Sequence, residues 1–405
     1  IRVRNIGTYP GLAAAGHYGI LCRHHKQNIG RAVYLKAAII TDWLTQMGGA
    51  ERVVLAIKEL FPNAPLFTTV YNPDTVDPVF HDMEIRTSFI QKLPGAKKSY
   101  TKYLPLMPTA VEQFDLTGFD LVISSSSSVA KGVVTRADTL HVCYCHTPMR
   151  YAWDFYFDYL YGPDVSSLKR RVIPWLMNYL RMWDRLSADR VDCFIANSRN
   201  VAGRIRKHYR REAEVIHPPV ETSYFSPVNE AEDFFLVVSR LVPYKRVDLA
   251  VQACNQLRLP LRVIGTGPEL DRLKAMAGPT VKMLGRVTDE EIRWHYARCR
   301  ALLFPGEEDF GITPLEAHAS GRPVIAYGVG GARETVKKGI TGEFFYPQTP
   351  EALAEVVSAF DPGCYDPQII RKHAEAFDTR KFQTVFHEYV LKKFDEHSSL
   401  YLGRE

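Results

Sequence analysis

No apolar stretch in this chain reaches the roughly 18 residues that a membrane-spanning helix needs. A disulfide framework is missing as well. The seven cysteines are odd in number and scattered, at Cys22, Cys143, Cys145, Cys193, Cys254, Cys299 and Cys364. That usage fits a reducing cytoplasm. Cys143-Tyr144-Cys145-His146 is a lone C-x-C with no second pair, so neighbouring strand cysteines explain it better than a metal does. There is no G-x-G-x-x-G, which argues against a dinucleotide site. No nucleic-acid-binding motif is present, so no nucleic-acid partner is expected. Residues 1–35 contain no acid and begin with Ile1. They also lack the apolar core of about 7–15 residues found in a signal peptide. They are read as an N-terminal extension to which no role is assigned.

What is present is an ordinary globular composition. The hydrophobic content is 46% over 405 residues. At about 150 residues per domain, that length suggests two or three domains. Charge is uneven. Residues 1–220 carry a balance of +9 and the remainder −3, within a total of +6. A basic first half implies an anionic partner, either an anionic membrane surface or a phosphate-bearing acceptor.

Short apolar runs recur between helical patterns, as in α/β folds with parallel sheets. Lys36–Asp42 reads as a first buried strand, and Gly48-Gly49-Ala50-Glu51 opens an amphipathic helix through Phe61. Strand patterns follow at Leu66–Val70, Leu121–Ser124, His141–Cys145 and Cys193–Ala196. His146-Thr147-Pro148 ends one of them, where open α/β sheets bind ligands. Two basic segments are rich in aromatics: Leu93 to Tyr103, with Lys97, Lys98 and Lys102, and Phe155 to Trp183, with Lys169, Arg170 and Arg171. Such mixtures suit a membrane interface, although a solvated face over a normal core is the simpler reading. His217-Pro218-Pro219 reads as a stiff exit to a second domain. That domain starts at Phe234–Ser239, and Arg240 and Lys245 stand just past its first strand. Val263–Glu269 reads as a turn, Val281–Leu284 as a strand with Gly285-Arg286-Val287 as its exit. Helical patterns at Glu351–Phe360 and Arg380–Phe394 close the chain.

The stretch Glu307-Glu308-Asp309-Phe310-Gly311-Ile312-Thr313-Pro314-Leu315-Glu316-Ala317 follows the apolar run Ala301–Phe304 and leads into a helix. Two carboxylates, Glu308 and Glu316, stand with seven residues between them. Gly311 allows a close backbone approach, and free N–H groups at the helix start can hold an anion. A carboxylate beside an anion site suits a ligand bearing both hydroxyls and phosphates. The alternative is a capped helix with two solvated acids.

The wording of this stretch resembles the E-x7-E signature of the retaining glycosyltransferases of family 4, and the likeness extends over roughly residues 36 to 390. The resemblance implies a GT-B fold, two Rossmann-like α/β domains facing an interdomain cleft. Residues 36–220 would form the acceptor domain and 221–378 the nucleotide-sugar domain, with 379–405 a helix crossing back to the first. It implies that Glu308 meets the donor sugar and Glu316 the nucleotide ribose, with Gly311, Ile312 and Thr313 at the anion-binding helix start. Arg240 and Lys245 match the family's donor-phosphate motif. His146 matches a histidine near the donor sugar or acceptor. The backbone at Arg286 and Val287 would meet the base, and the Gly48-Gly49 loop would face the diphosphate.

The implied reaction is transfer of a sugar from a nucleotide sugar to an acceptor hydroxyl with retention of configuration. There is no D-x-D motif, and the paired cations Arg240 and Lys245 can neutralise a departing diphosphate. No essential metal or other cofactor is therefore expected. Asp42–Glu51 and His141–Asp154 resemble bacterial polysaccharide and O-antigen mannosyltransferases most. That favours GDP-mannose, with UDP-sugars open, and a glycan or lipid-linked acceptor. The expected location is the cytoplasm, peripheral to the inner face of the membrane. Two other classes stay open: a nucleotide-sugar 2-epimerase of the same fold, and a non-catalytic sugar-nucleotide-binding partner.

Overall fold

The computed structural model describes residues 35–402 apart from 163–164 and 229, so the extension before Leu35 lies outside the described residues. The first sheet contains β1 (Ala37–Thr41), β2 (Leu66–Thr68), β3 (Ile85–Thr87), β4 (Leu121–Ser126), β5 (Leu140–Cys145), β6 (Cys193–Ala196) and β7 (Ala213–Val215). Its order is β3-β2-β1-β4-β5-β6-β7, with every pairing parallel. The second sheet contains β8 (Phe235–Val238), β9 (Leu261–Ile264), β10 (Val281–Gly285), β11 (Ala301–Phe304), β12 (Val324–Tyr327) and β13 (Gly342–Phe345). It is also parallel, in the order β10-β9-β8-β11-β12-β13.

The apolar runs are continuous because both faces of each sheet are covered. In β1, Ala37 and Ile39 enter one core and Ala38 and Ile40 the other. Strand order reverses between β1 and β4 in the first sheet and between β8 and β11 in the second. Crevices for ligands open at the carboxyl ends of strands at such reversals.

The helices that matter for the cleft and its surroundings are α1 (Gly49–Leu60), α2 (Tyr156–Leu160), α3 (Ser167–Ser187), α4 (Arg199–Tyr209), α5 (Val247–Leu257), α6 (Ile312–Ala319) and α7 (Thr379–Leu402). Several expected elements shift by a residue or two at their ends, where hydrogen bonding frays. Val263 and Ile264, expected in a turn, are the end of strand β9. Cys143 and Cys145 are buried neighbours on one face of β5.

The chain crosses between domains twice at one place. Val220 N donates to Phe377 O at 2.9 Å, and Thr379 N donates to Val220 O at 3.1 Å. Thr222 Oγ1 donates to the Asp378 carboxylate beside them. Helix α7 then lays Phe382, Phe386 and Val390 into the first-domain core with Ile39, Leu121 and Tyr144.

Candidate active site in the interdomain cleft

The second-domain half of the cleft is built at its strand reversal. Past β8 the chain turns through Pro243–Lys245 into α5, and past β11 it runs through Gly306 to α6. A Cβ on Gly306 would lie 2.9 Å from the Lys245 backbone, so only glycine lets the two loops touch. Lys245 and Glu308, one from each loop, form an ion pair with both side chains largely buried. Burial, then the nearby charges of Arg240 and Arg150, push the Lys245 ammonium down to about 7. Arg240 is exposed and donates Nη2 to the Tyr244 hydroxyl at 3.0 Å.

Gly311 adopts φ +92° immediately before α6, a left-handed conformation that suits glycine. Ile312 and Thr313 form the first turn of that helix, with Glu316 one turn further on. Glu308 and Glu316 are both buried, unlike the solvated pair that a capped surface helix would present. Glu316 is held by two donors. Arg52 of α1 donates to one oxygen and Tyr296 OH donates to the other at 2.8 Å. Past β10, Arg286 is exposed, and Val287 is partly buried against the second-domain core.

The first-domain half meets it closely. A Cβ on Gly49 would lie 2.6 Å from Ile312 Cδ1, so the glycine lets α1 approach the start of α6. Gly48 packs against Glu51, which is buried at the same helix start. Burial pushes the Glu51 carboxyl up to about 7, against the favourable charge of Arg240. Asp42, at the end of β1, accepts from Ser127 N at 2.6 Å and from Val129 N and Ala130 N at 2.7 Å. It anchors the loop after β4. His146 exchanges a hydrogen bond with Ser125 Oγ through Nε2 at 2.8 Å, and burial lowers its pKa to about 4, so its ring is neutral. Its partner is Ser125; no hydrogen bond joins it to Lys245 or Glu308 among the described residues.

Sequence reasoning missed the residues that hold the halves together. Arg204 pairs with Asp309 and reaches Glu307 Oε1 at 3.4 Å. Arg150 pairs with Asp309 Oδ2 at 3.3 Å, and its guanidinium lies 4.7 Å from the Phe155 ring and 4.9 Å from that of Tyr244. Ser198 Oγ donates to Asp309 O at 2.6 Å. Glu334 accepts from Arg199 N at 3.0 Å and Asn200 N at 3.2 Å, the free N–H groups that open α4. His217 meets Glu334 at 3.0 Å as well. The Glu307-Glu308-Asp309 run thus alternates. Its outer members face first-domain arginines and its middle member faces Lys245. Three successive acids are the only signal in the sequence, and which cation each one meets is set by the fold.

The family description "Glycosyltransferase Family 4" matches residues 47–224, and "Glycosyl transferases group 1" matches residues 221–360. The chain belongs to the family 4 glycosyltransferases. Human alpha-1,3/1,6-mannosyltransferase ALG2 is 25% identical over 406 residues, covering 85% of this chain and 93% of that protein. The GDP-mannose-dependent alpha-(1-6)-phosphatidylinositol monomannoside mannosyltransferase of Mycolicibacterium smegmatis is 32% identical over 159 residues, 32% of this chain and 42% of that one. The chain spans about half the length of the first curated relatives it matches, from 45% to 57%. Among solved structures, Anabaena HepE in complex with UDP superposes with a TM-score of 0.64 at 16% identity, covering 88% of this chain and 99% of that one. Two facing parallel-sheet domains with this likeness are the GT-B fold.

Proposed function

We propose that this glycosyltransferase moves mannose from GDP-mannose to a hydroxyl of a polysaccharide or lipid-linked glycan, with retention of anomeric configuration. The observation that carries sugar transfer is the Lys245–Glu308 pair, set at the strand reversal of the second domain with Arg240 beside Lys245. Mannose is supported by relatives named as mannosyltransferases, and GDP by the name of one of them. A UDP-sugar is the second reading, favoured by the UDP in the HepE complex.

In this reading the diphosphate lies between Arg240, Lys245 and the N–H groups that open α6. Its charge draws Lys245 back to the ammonium form and away from Glu308. The freed Glu308 carboxylate then accepts from hydroxyls of the donor sugar, and Glu316 accepts from the ribose. The bond from the anomeric carbon to the diphosphate oxygen breaks while the acceptor oxygen bonds to that carbon on the same face. The acceptor's proton passes to the departing diphosphate oxygen. The protein contributes position and charge stabilisation, the effects that dominate such displacements. Arg240 and Lys245 supply the positive charge, so the reaction is read as independent of an added metal.

The test is a panel of nucleotide sugars incubated with a polyprenyl-linked glycan and read by mass spectrometry. One added hexose with release of GDP is the expected result. Interconversion of donor without acceptor would replace transfer by epimerisation. Tight donor binding with neither outcome would make the chain a binding partner.

A further inference from the structure

Helix α3 has two apolar faces, and the fold covers only one. Inward, Met177 and Leu180 are buried in the first-domain core, with Ile173 and Leu176 packed partly against it. Outward stand Leu168, Val172, Trp175, Tyr179, Met182 and Leu186, all exposed. Their spacing of i, i+4, i+7, i+11, i+14 and i+18 sets them in one stripe along the helix. Exposure reaches 80% at Trp175, 72% at Leu168 and 65% at Leu186. A helix of this length is about 30 Å long. An unbroken apolar stripe of that extent marks a contact surface. Helix α2 adds exposed Phe157 and Tyr159, and Tyr161 follows its end. Tyr161 lies 5.9 Å from the Arg170 guanidinium, which joins the two segments.

Charge identifies the partner. Helix α3 carries Lys169, Arg170, Arg171, Arg181 and Arg185, and its one acid, Asp184, is buried on Lys131 at 2.6 Å. Lys169, Arg170 and Arg171 are exposed and form no ion pair among the described residues. Arg185 is paired with Asp189 at 2.7 Å, and Asp158 is the acid on α2. A second copy of the chain fits poorly. Antiparallel pairing would set Arg171 near Arg185, and parallel pairing would set Arg171 near itself. An apolar stripe of Trp, Leu and Tyr with a basic margin suits the headgroup region of an anionic bilayer.

The other basic and aromatic segment differs. Tyr100 packs on Trp43 at 4.8 Å, and Tyr103 donates to Pro94 O at 2.7 Å, so its aromatics are turned inward. Lys97 and Lys98 offer charge without an apolar anchor.

We infer that the outer face of α3, continued by α2, is a docking surface that seats this protein on an anionic lipid bilayer. The surface stands outside the Lys245–Glu308 site. Its evidence is independent of the sugar-transfer reading.

Full-length protein is sedimented with vesicles of mixed phosphatidylglycerol and phosphatidylcholine, and with phosphatidylcholine alone. The wild type binds the anionic vesicles, and binding weakens as salt rises. The double variant Leu168→Glu/Trp175→Glu and the triple variant Lys169→Ser/Arg170→Ser/Arg171→Ser each lose about tenfold or more, while Lys97→Ser/Lys98→Ser loses little. Donor binding by calorimetry is unchanged in every variant, which also reports that each has folded. Undiminished vesicle binding by the double variant would overturn the inference, as would absent binding by the wild type. So would a wild-type dimer in sedimentation that Trp175→Glu dissolves without any lipid binding. If the wild type bound vesicles but no nucleotide sugar, the sugar-transfer reading would fail and the docking surface would stand.

Discussion

Arg52 on α1 donates to the carboxylate of Glu316 on α6, while the Tyr296 hydroxyl, 2.8 Å away, occupies the other oxygen. The carboxylate proposed to hold the nucleotide ribose is therefore already bonded on both oxygens, and one of its partners belongs to the opposite domain. In the proposed role, ribose hydroxyls compete with Arg52 for this carboxylate.

This relationship separates the two glutamates experimentally. A hydrogen bond to a charged group contributes about 1.5–3 kcal/mol net. Glu316→Gln is expected to weaken free nucleoside diphosphate and intact donor alike by that order. Glu308→Gln is expected to spare the free diphosphate and lower turnover with donor. Arg52→Ala should tighten the diphosphate up to about fivefold, because a half-exposed ion pair contributes only about 1 kcal/mol. Calorimetry with both ligands decides. Equal weakening of the bare diphosphate by Glu308→Gln and Glu316→Gln would show the roles to be misassigned.

Lys245→Ala and Arg240→Ala should each cost about two orders of magnitude in transfer with folding intact, since one charge-stabilising donor contributes about 2.7–4 kcal/mol to such reactions. The buried Lys245 also predicts a pH limb. Its ammonium form is held down to about 7 in the free protein. The charge is present below that pH and lost above it, so kcat/KM should fall as pH rises through about 7. Lys245→Arg should flatten that limb, because a guanidinium stays charged. A profile identical in wild type and Lys245→Arg would remove Lys245 from the limb.

Activity is expected to survive chelation. In the proposed site, Arg240 and Lys245 supply the positive charge that a metal would otherwise give the diphosphate. Turnover is measured before and after EDTA treatment and dialysis. Complete loss that magnesium restores would contradict the expectation.

Acid should destabilise the fold through buried histidines. His141 and His146 are held neutral by burial, their pKa values lowered from 6.5 to about 4. Between those values the unfolded chain binds protons that the folded chain does not, so stability falls as pH drops through that window. Each group contributes up to about 1.4 kcal/mol per pH unit. Glu51 acts oppositely. Its carboxyl is raised from 4.5 to about 7, so the folded chain takes up the proton first and gains stability over that interval. Denaturant midpoints at several pH values should show a shallower acid loss for His141→Asn and a steeper one for Glu51→Gln. An unchanged acid slope in His141→Asn would exclude its contribution.

Much of this architecture is legible in the sequence because parallel strands buried on both faces leave unbroken apolar runs, as at Ala301–Phe304. The strands Ile85–Thr87 and Ala213–Val215 are only three residues each and half polar, so no period emerges from them. Glu308, Glu316, Arg240 and Lys245 are singled out by the family wording of their motifs, because as charges on a loop or a helix they would be unremarkable by themselves. Arg204 could not be found, since it sits within the basic helix α4 like any solvated arginine, and only the fold brings Asp309 to it. The outward stripe of α3 was hidden for another reason. Helical periodicity locates apolar faces but does not say which of two faces the core will take.

Helix α7 has a consequence for how the protein is made. Phe382, Phe386 and Val390 close a core whose other walls are Ile39, Leu121 and Tyr144, far earlier in the chain. A ribosome therefore delivers all seven strands of the first sheet, and then the whole second domain, before the last wall of the first core emerges. The second domain can complete its core first although it is synthesised later. Until then that face of the first sheet is covered only in part, by Val53, Val54 and Ile57 of α1. Nascent chains stalled before Thr379 should remain open to proteolysis in the first domain while the second already resists it.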